Sequence, residues 1–335
     1  MKKMSTLLLS VLLFWTASAQ DTFSIIAVDP VTKEVGSAGA SCVTGVGASG
    51  IIDIITDIIP GRGGINSQAY VCIPNINLQN GIMRMDLGDS PSEIIDWLIN
   101  NDACSSQSFD PAFRQYGIAD FDENGDPRTA GFTGNMTDDY KEDRQGATFS
   151  IQGNILLDQT VIDNMENNFN GTVGTLADKL MAALQGANFA GADQRCLAAG
   201  TSSTTAYLLV YKEDDLPGDP YLRLNVGQQP SGTEPIDILQ DLYDNFLAFE
   251  ENTIKSNLRL FPNPATERIV LERTAELRIE VITVFDVNGK RMFSDNISEA
   301  NNLQIEINVS TLPSGIYFLR INSSEGNTAF QFVKQ

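Results

Sequence analysis

The chain has 335 residues, 42% of them hydrophobic, and a formal net charge of −21, which is enough for two domains with real cores. It contains no histidine, which excludes every Ser-His-Asp or Cys-His catalytic unit and every histidine-bearing zinc site. The acidity lies before Leu258, since the rest of the chain carries eight basic and nine acidic residues. Such a body offers no cationic surface to nucleic acid or anionic lipid.

Met1–Ala19 has two early lysines, an apolar run Leu7–Trp15 and a small-x-small end, Ala17-Ser18-Ala19. This predicts a cleaved export signal rather than a membrane span, leaving Gln20 first and no spanning segment in the mature protein. Export permits disulfides. The cysteines, Cys42, Cys72, Cys104 and Cys196, lack the C-x-x-C spacing of zinc or redox sites, so two structural bridges are expected. Of three possible pairings, Cys42–Cys72 with Cys104–Cys196 is the one preferred.

Phe23–Val28 and Val35–Cys42 read as strands around Asp29-Pro30, and the second is rich enough in small residues to pack closely on another layer. The aliphatic segment Ile51–Ile59 fits helix or strand equally. Gly64–Cys72 reads as a strand, and Ile76–Leu87 and Ser92–Asn101 as helices, with Ser90-Pro91 capping the latter. Gly117–Phe121 and Pro127–Gly131 flank an Asn-Gly turn and predict a hairpin. Ala147–Gln152 is a strand, Asp158–Phe169 and Thr175–Gly186 are helical in period, and Thr204–Tyr211 and Tyr221–Val226 are strands. The helix Ile236–Phe249 closes an α+β layered domain over 20–249. A polar linker is expected at 250–257. Beyond it, short β-branched strands at regular spacing predict a small all-β sandwich over 258–335.

Asp120-x-Asp122-x-Asn124-Gly125 imitates half a calcium loop, but position twelve is Gly131 where a bidentate Glu is needed. The glycines of Gly45–Gly50 and Gly61–Gly64 lack phosphate-loop spacing. No metal and no cofactor is therefore expected.

The tail blocks LRLFPNPATERIVLE, ITVFDVNGKRMF and VSTLPSGIYFLRI, in that order, resemble the type A C-terminal sorting domain of the type IX secretion system. The resemblance implies export by that machinery, removal of the tail by its C-terminal signal peptidase, and a secreted or cell-surface product. TFSIIAVDPVTKEVGSAGAS at the start, SIQGNIL at Ser150–Leu156, GADQRC at Gly191–Cys196, YLRLNV and PIDILQDLYDNFL together resemble the bacterial domain of unknown function 1028. That likeness implies an αββα four-layer sandwich of the N-terminal nucleophile hydrolase kind, with an immunoglobulin-like sandwich behind it.

In that chemistry a first-residue Thr, Ser or Cys is activated by its own α-amino group, which suits a chain without histidine. Thr22 is the candidate nucleophile, provided Gln20 and Asp21 are removed. Otherwise it is a hydroxyl opening an edge strand. Asn154 is the candidate oxyanion donor, with Gln152 beside it orienting substrate, or both satisfy a turn. Asp193 and Arg195 can clamp a substrate carboxylate or form a local salt bridge. Two function classes follow: a secreted amidohydrolase, or a non-catalytic surface or binding protein on the same fold, either of them open to homo-oligomerisation.

Overall fold

Alternation along the strands decides how the layers meet. A computed structural model describes residues 22–274, 277–287, 289–297, 303–323 and 326–335; the predicted signal lies outside them, as do Gln20 and Asp21. The chain forms two units, divided between Gln240 and Asp241. The first begins with β1 (Phe23–Val28) and β2 (Val35–Ser41), then a short α1 (Ile52–Ile55) running into β3 (Thr56–Ile59), and β4 (Gly63–Ala69). Helices α2 (Ile76–Asp86) and α3 (Pro91–Asn100) follow, then β5 (Arg114–Phe121), β6 (Pro127–Thr133), β7 (Glu142–Gln145) and β8 (Phe149–Gly153). Next come α4 (Thr160–Gly171), α5 (Leu176–Gly186), β9 (Thr205–Tyr211), β10 (Leu222–Val226) and α6 (Pro235–Ser256).

The strands form a six-stranded sheet, β10-β9-β2-β1-β8-β7, and a four-stranded sheet, β3-β4-β5-β6. Helices α4 and α5 pack on the first sheet, α2 and α3 on the second, and the sheets meet through β1, β2, β4, β5 and β8. Every residue of β1, β2, β4, β5, β8 and β9 is buried, as strands covered on both faces require. On β2 the small residues do what the sequence predicts. A Cβ at Gly36 would meet Leu180 of α5, and one at Gly39 would meet Tyr207 and Ser24. The far half of the inter-sheet space is apolar, filled by Ile26, Val28, Ile58, Ala119, Phe121 and Leu209.

Local signals fix the helix starts. Ser90 and Glu93 close a capping box at α3 with Pro91 in the first turn, and Thr175 and Asp178 do the same at α5. One open reading is resolved and two expectations need correcting. Ile51–Ile59 divides into one helical turn and a strand. The polar stretch 250–257 is helical as far as Ser256, for it holds no proline or glycine and Ile254 is buried in the second unit's core. The disulfides are Cys42–Cys196 and Cys72–Cys104, not the preferred pairing. Cys42 directly follows β2 and Cys72 lies three residues past β4, in the other sheet, so the two are bridged to different segments.

The second unit takes in α6 beyond Gln240, and after it every described element is a strand: β11 (Leu258–Phe261), β12 (Arg268–Arg273), β13 (Ile279–Asp286), β14 (Arg291–Asn296), β15 (Gln304–Asn308), β16 (Gly315–Ser323) and β17 (Gly326–Lys334). Sheets ordered β11-β12-β15 and β14-β13-β16-β17 enclose Ile269, Leu271, Val284, Leu319 and Phe332. Alternating burial on β12 and β16 shows one face in and one face out.

Candidate active site

Strand register brings the predicted residues to one end of the six-stranded sheet. Phe23 pairs with Ala40 of β2 on one side and Gly153 of β8 on the other. Thr22, one residue earlier, is thus level with Ser41 and Asn154, and Ser41 pairs onward with Thr205 of β9. Thr22, Gln152 and Asn154 are all fully buried. The Thr22 N–H donates to Asn154 Oδ1 at 3.1 Å, while the Thr22 carbonyl accepts from the Asn154 N–H at 3.2 Å. That carbonyl also accepts from Gln68 Nε2, which reaches across from the other sheet at 2.9 Å. Even-numbered residues of β1 face that sheet, as the Ser24 contacts below show, so Thr22 shares their side.

A polar seam runs from this point between the sheets. Ser24 Oγ donates to Gln68 Oε1 at 2.6 Å and accepts from Asn66 Nδ2 at 3.0 Å and from Gln152 Nε2 at 2.5 Å. Gln68 Nε2 donates to Gln115 Oε1 at 2.8 Å, and Gln115 Nε2 donates to the Gly153 carbonyl at 2.9 Å. Ser37 Oγ joins Asn66 Oδ1 and Tyr207 Oη, each at 2.9 Å; burial pushes the Tyr207 phenol upward. A buried amide left unpaired costs about 1–3 kcal/mol, so these groups are tolerated because they satisfy one another. Ser24, Asn66, Gln68 and Gln115 are absent from the sequence prediction. Their signal is a polar side chain at alternate positions, Asn66 and Gln68, of a strand otherwise fit for burial.

Asp193 and Arg195 sit over the same sheet end. Asp193, fully buried, caps the 3-10 turn Gln194–Ala199 and accepts from the Cys42 N–H at 2.8 Å. Arg195 grips it at both oxygens, Nε to Oδ1 at 3.0 Å and Nη2 to Oδ2 at 2.6 Å. Nη2 also lies 3.5 Å from Ser41 Oγ, the cross-strand neighbour of Thr22. The Cys42–Cys196 bridge ties this turn to β2. The pair is therefore a local ion pair by geometry, placed one strand from Thr22.

Arg114, at the start of β5, carries no sequence signal yet holds the adjoining end of the four-stranded sheet. Its buried guanidinium donates to Asp102 through Nε at 2.7 Å and Nη2 at 3.2 Å, and to the carbonyls of Tyr70, Cys104 and Ser106 at 2.5, 3.0 and 2.6 Å. The calcium-like turn is spent otherwise. Asp120 is buried and gripped by Arg128, with Arg62 at 3.3 Å, and burial raises its carboxyl above the usual range against both guanidinia. Asp122 accepts from the N–H groups of Asn124 and Asp126. Among the described residues no group of three or more His, Cys, Asp or Glu is placed to hold a metal ion.

Comparison with known proteins agrees with the two-part division. The model of a family of unknown function, DUF1028, matches residues 22–236, and that of the secretion system C-terminal sorting domain matches residues 259–335. The crystal structure of protein SPO2555 from Silicibacter pomeroyi, placed in DUF1028, is similar at 26% identity and a TM-score of 0.52, covering 67% of this chain and 88% of that one. A DUF3244 protein with an immunoglobulin-like β-sandwich fold from Bacteroides vulgatus matches at 20% identity and a TM-score of 0.21, over 24% of this chain and 85% of that one. No curated protein matches the chain.

Proposed function

We propose, from the premise that this chain belongs to the DUF1028 family, that its first domain is an amidohydrolase of the N-terminal nucleophile type with Thr22 as nucleophile. Its destination follows from the tail: the sorting domain at 259–335 marks a protein exported by the type IX machinery to the medium or the cell surface. No helix among the described residues is long and apolar enough to cross a membrane. The layered arrangement of helices on two facing sheets fits the αββα sandwich of such hydrolases. The three- and four-stranded sheets of the tail fit an immunoglobulin-like sandwich, removed by the C-terminal signal peptidase after export.

One observation carries the reading: the Thr22 nitrogen is held by Asn154 Oδ1 at 3.1 Å. Once Gln20 and Asp21 are gone, that nitrogen is an α-amine with an ordinary pKa of about 8, poised to take the proton of Thr22 Oγ. Oγ then adds to the amide carbonyl, the leaving amine departs with the proton, and water hydrolyses the ester left on Thr22. The Nδ2 of Asn154 supplies a donor for the oxyanion. Arg195, held by Asp193, and Gln152 shape the substrate side. A chain that keeps Gln20 and Asp21 has a peptide amide where the base should be; that form is a binding protein on the same fold.

The test is to prepare the first domain and tail in two forms, one beginning at Thr22 and one retaining Gln20-Asp21, and to expose both to a β-lactone. Acylation of Thr22 in the trimmed form alone is expected. A trimmed form that is not acylated at Thr22 overturns the proposal, as does natively secreted protein that begins with a pyroglutamate from Gln20.

A further inference from the structure

The Thr22 carbonyl accepts two hydrogen bonds, and they come from different layers. The Asn154 N–H belongs to the neighbouring strand end and forms whenever β1 and β8 pair. Gln68 Nε2 comes from β4, in the facing sheet, and its amide has no freedom to turn. Oε1 accepts from Ser24 Oγ at 2.6 Å, and Nε2 is shared between the Thr22 carbonyl at 2.9 Å and Gln115 Oε1 at 2.8 Å. Turned over, the amide would set its oxygen against both of those acceptors. Gln68, Ser24 and Gln115 are fully buried, so no water competes and each bond is fully felt. Glycine at position 117 lets the packing close, since a Cβ there would fall on Gln152 Oε1, and Gln152 Nε2 in turn donates to Ser24.

We propose that Gln68 is a positioning residue: it fixes the Thr22 peptide plane from the opposite sheet and so aims the Thr22 nitrogen and Oγ. The inference rests on the nucleophile reading above for its catalytic meaning, but the positioning is measurable without catalysis. A residue that merely fills space could be replaced by methionine, of similar length and no polarity, with no effect on Thr22. A positioning residue could not.

Two measurements decide it. In the full chain, Gln68→Met is expected to speed amide hydrogen exchange at Thr22 and Asn154 by about tenfold or more, from loss of one buried hydrogen bond, while the amide of Ile65 on the same strand stays protected. Unchanged exchange at Thr22 and Asn154 overturns the proposal. Should Gln68→Met fail to fold, Gln68→Leu, which also removes the donor to the Thr22 carbonyl, is read in the same way. In the form beginning at Thr22, Gln68→Met is expected to slow acylation of Thr22 by the β-lactone by about tenfold, while Ile65→Val, a packing change on the same strand, leaves the rate unchanged. A parent protein that is acylated, beside a Gln68→Met variant acylated equally fast, sinks this inference and leaves the nucleophile reading intact. A parent protein that is not acylated sinks the nucleophile reading, and the exchange result still decides the positioning.

Discussion

Replacing Arg114 by methionine should be among the most damaging single changes in the first domain. The side chains of Arg114 and Asp102 are 1% and 2% exposed, so water does not screen the pair. The substitution leaves the carbonyls of Tyr70, Cys104 and Ser106 without the guanidinium that donates to them, and the Asp102 carboxylate with the Cys104 N–H but no countercharge. Breaking a buried pair by removing one partner costs about 3–5 kcal/mol. For a domain of this size that lowers the melting temperature by roughly 6–20 °C. Urea unfolding followed by the fluorescence of Trp97 in α3 reads the free energy directly. The double variant Arg114→Met with Asp102→Leu should recover part of the loss, because the uncompensated charge is gone while the three carbonyls still lack donors. A single-variant cost below about 1 kcal/mol, the scale of an exposed pair, would refute the reasoning, as would a double variant less stable than Arg114→Met.

Gly117→Ala drives a methyl onto Gln152 Oε1, and overpacking of this kind costs about 1–3 kcal/mol; an unchanged melting temperature would contradict it. Peptide mapping without reduction should recover Cys42 joined to Cys196 and Cys72 joined to Cys104. The bridges close separations of 154 and 32 residues, for which chain entropy predicts about 5 and about 4 kcal/mol, so the Cys42→Ala/Cys196→Ala variant should be the less stable in denaturant. Glu93 accepts from Ser90, first through the hydroxyl and then through the backbone N–H, and its pKa lies below the ordinary 4.5. Because the folded value is the lower one, this cap's contribution is present above pH 4.5 and fades as pH falls through the folded pKa. NMR titration should show the depressed pKa, and Ser90→Ala should move it back upward; a pKa unmoved by that change would remove the capping box as its cause.

Much of the fold is legible because local chemistry and final packing agree. Ser90-Pro91 and Thr175 announce helix starts, and the β-branched runs of the tail announce strands. Where they disagree, sequence reading stops. Ile51–Ile59 shows no readable period because one helical turn runs straight into a four-residue strand, and neither repeat lasts long enough to be seen. Glu142–Gln145 is wholly polar and becomes an edge strand only through pairing with β8. Pairing of the cysteines depends on which segments cover the ends of β2 and β4, which spacing does not encode. At the site, Thr22, Asn154, Gln152, Asp193 and Arg195 are individually visible, but only strand register shows that they share one sheet end. Gln68 and Arg114 act through partners 46 and 12 residues away; the alternation of Asn66 with Gln68 marks the first as a buried polar group without naming its partners, and nothing local marks the second.

The polar seam also bears on how the two sheets are aligned. Apolar surfaces attract without direction, so two greasy sheets can slide against each other at little cost. Hydrogen bonds between Ser24, Asn66, Gln68, Gln115 and Gln152 hold in one alignment alone, because each needs its donor and acceptor within about 3 Å of one another and a slide of one sheet over the other separates them. The seam therefore acts as a key between the layers, locked at the end that carries Thr22. The far end, packed by Ile26, Val28, Ala119 and Phe121, is where slippage can be absorbed.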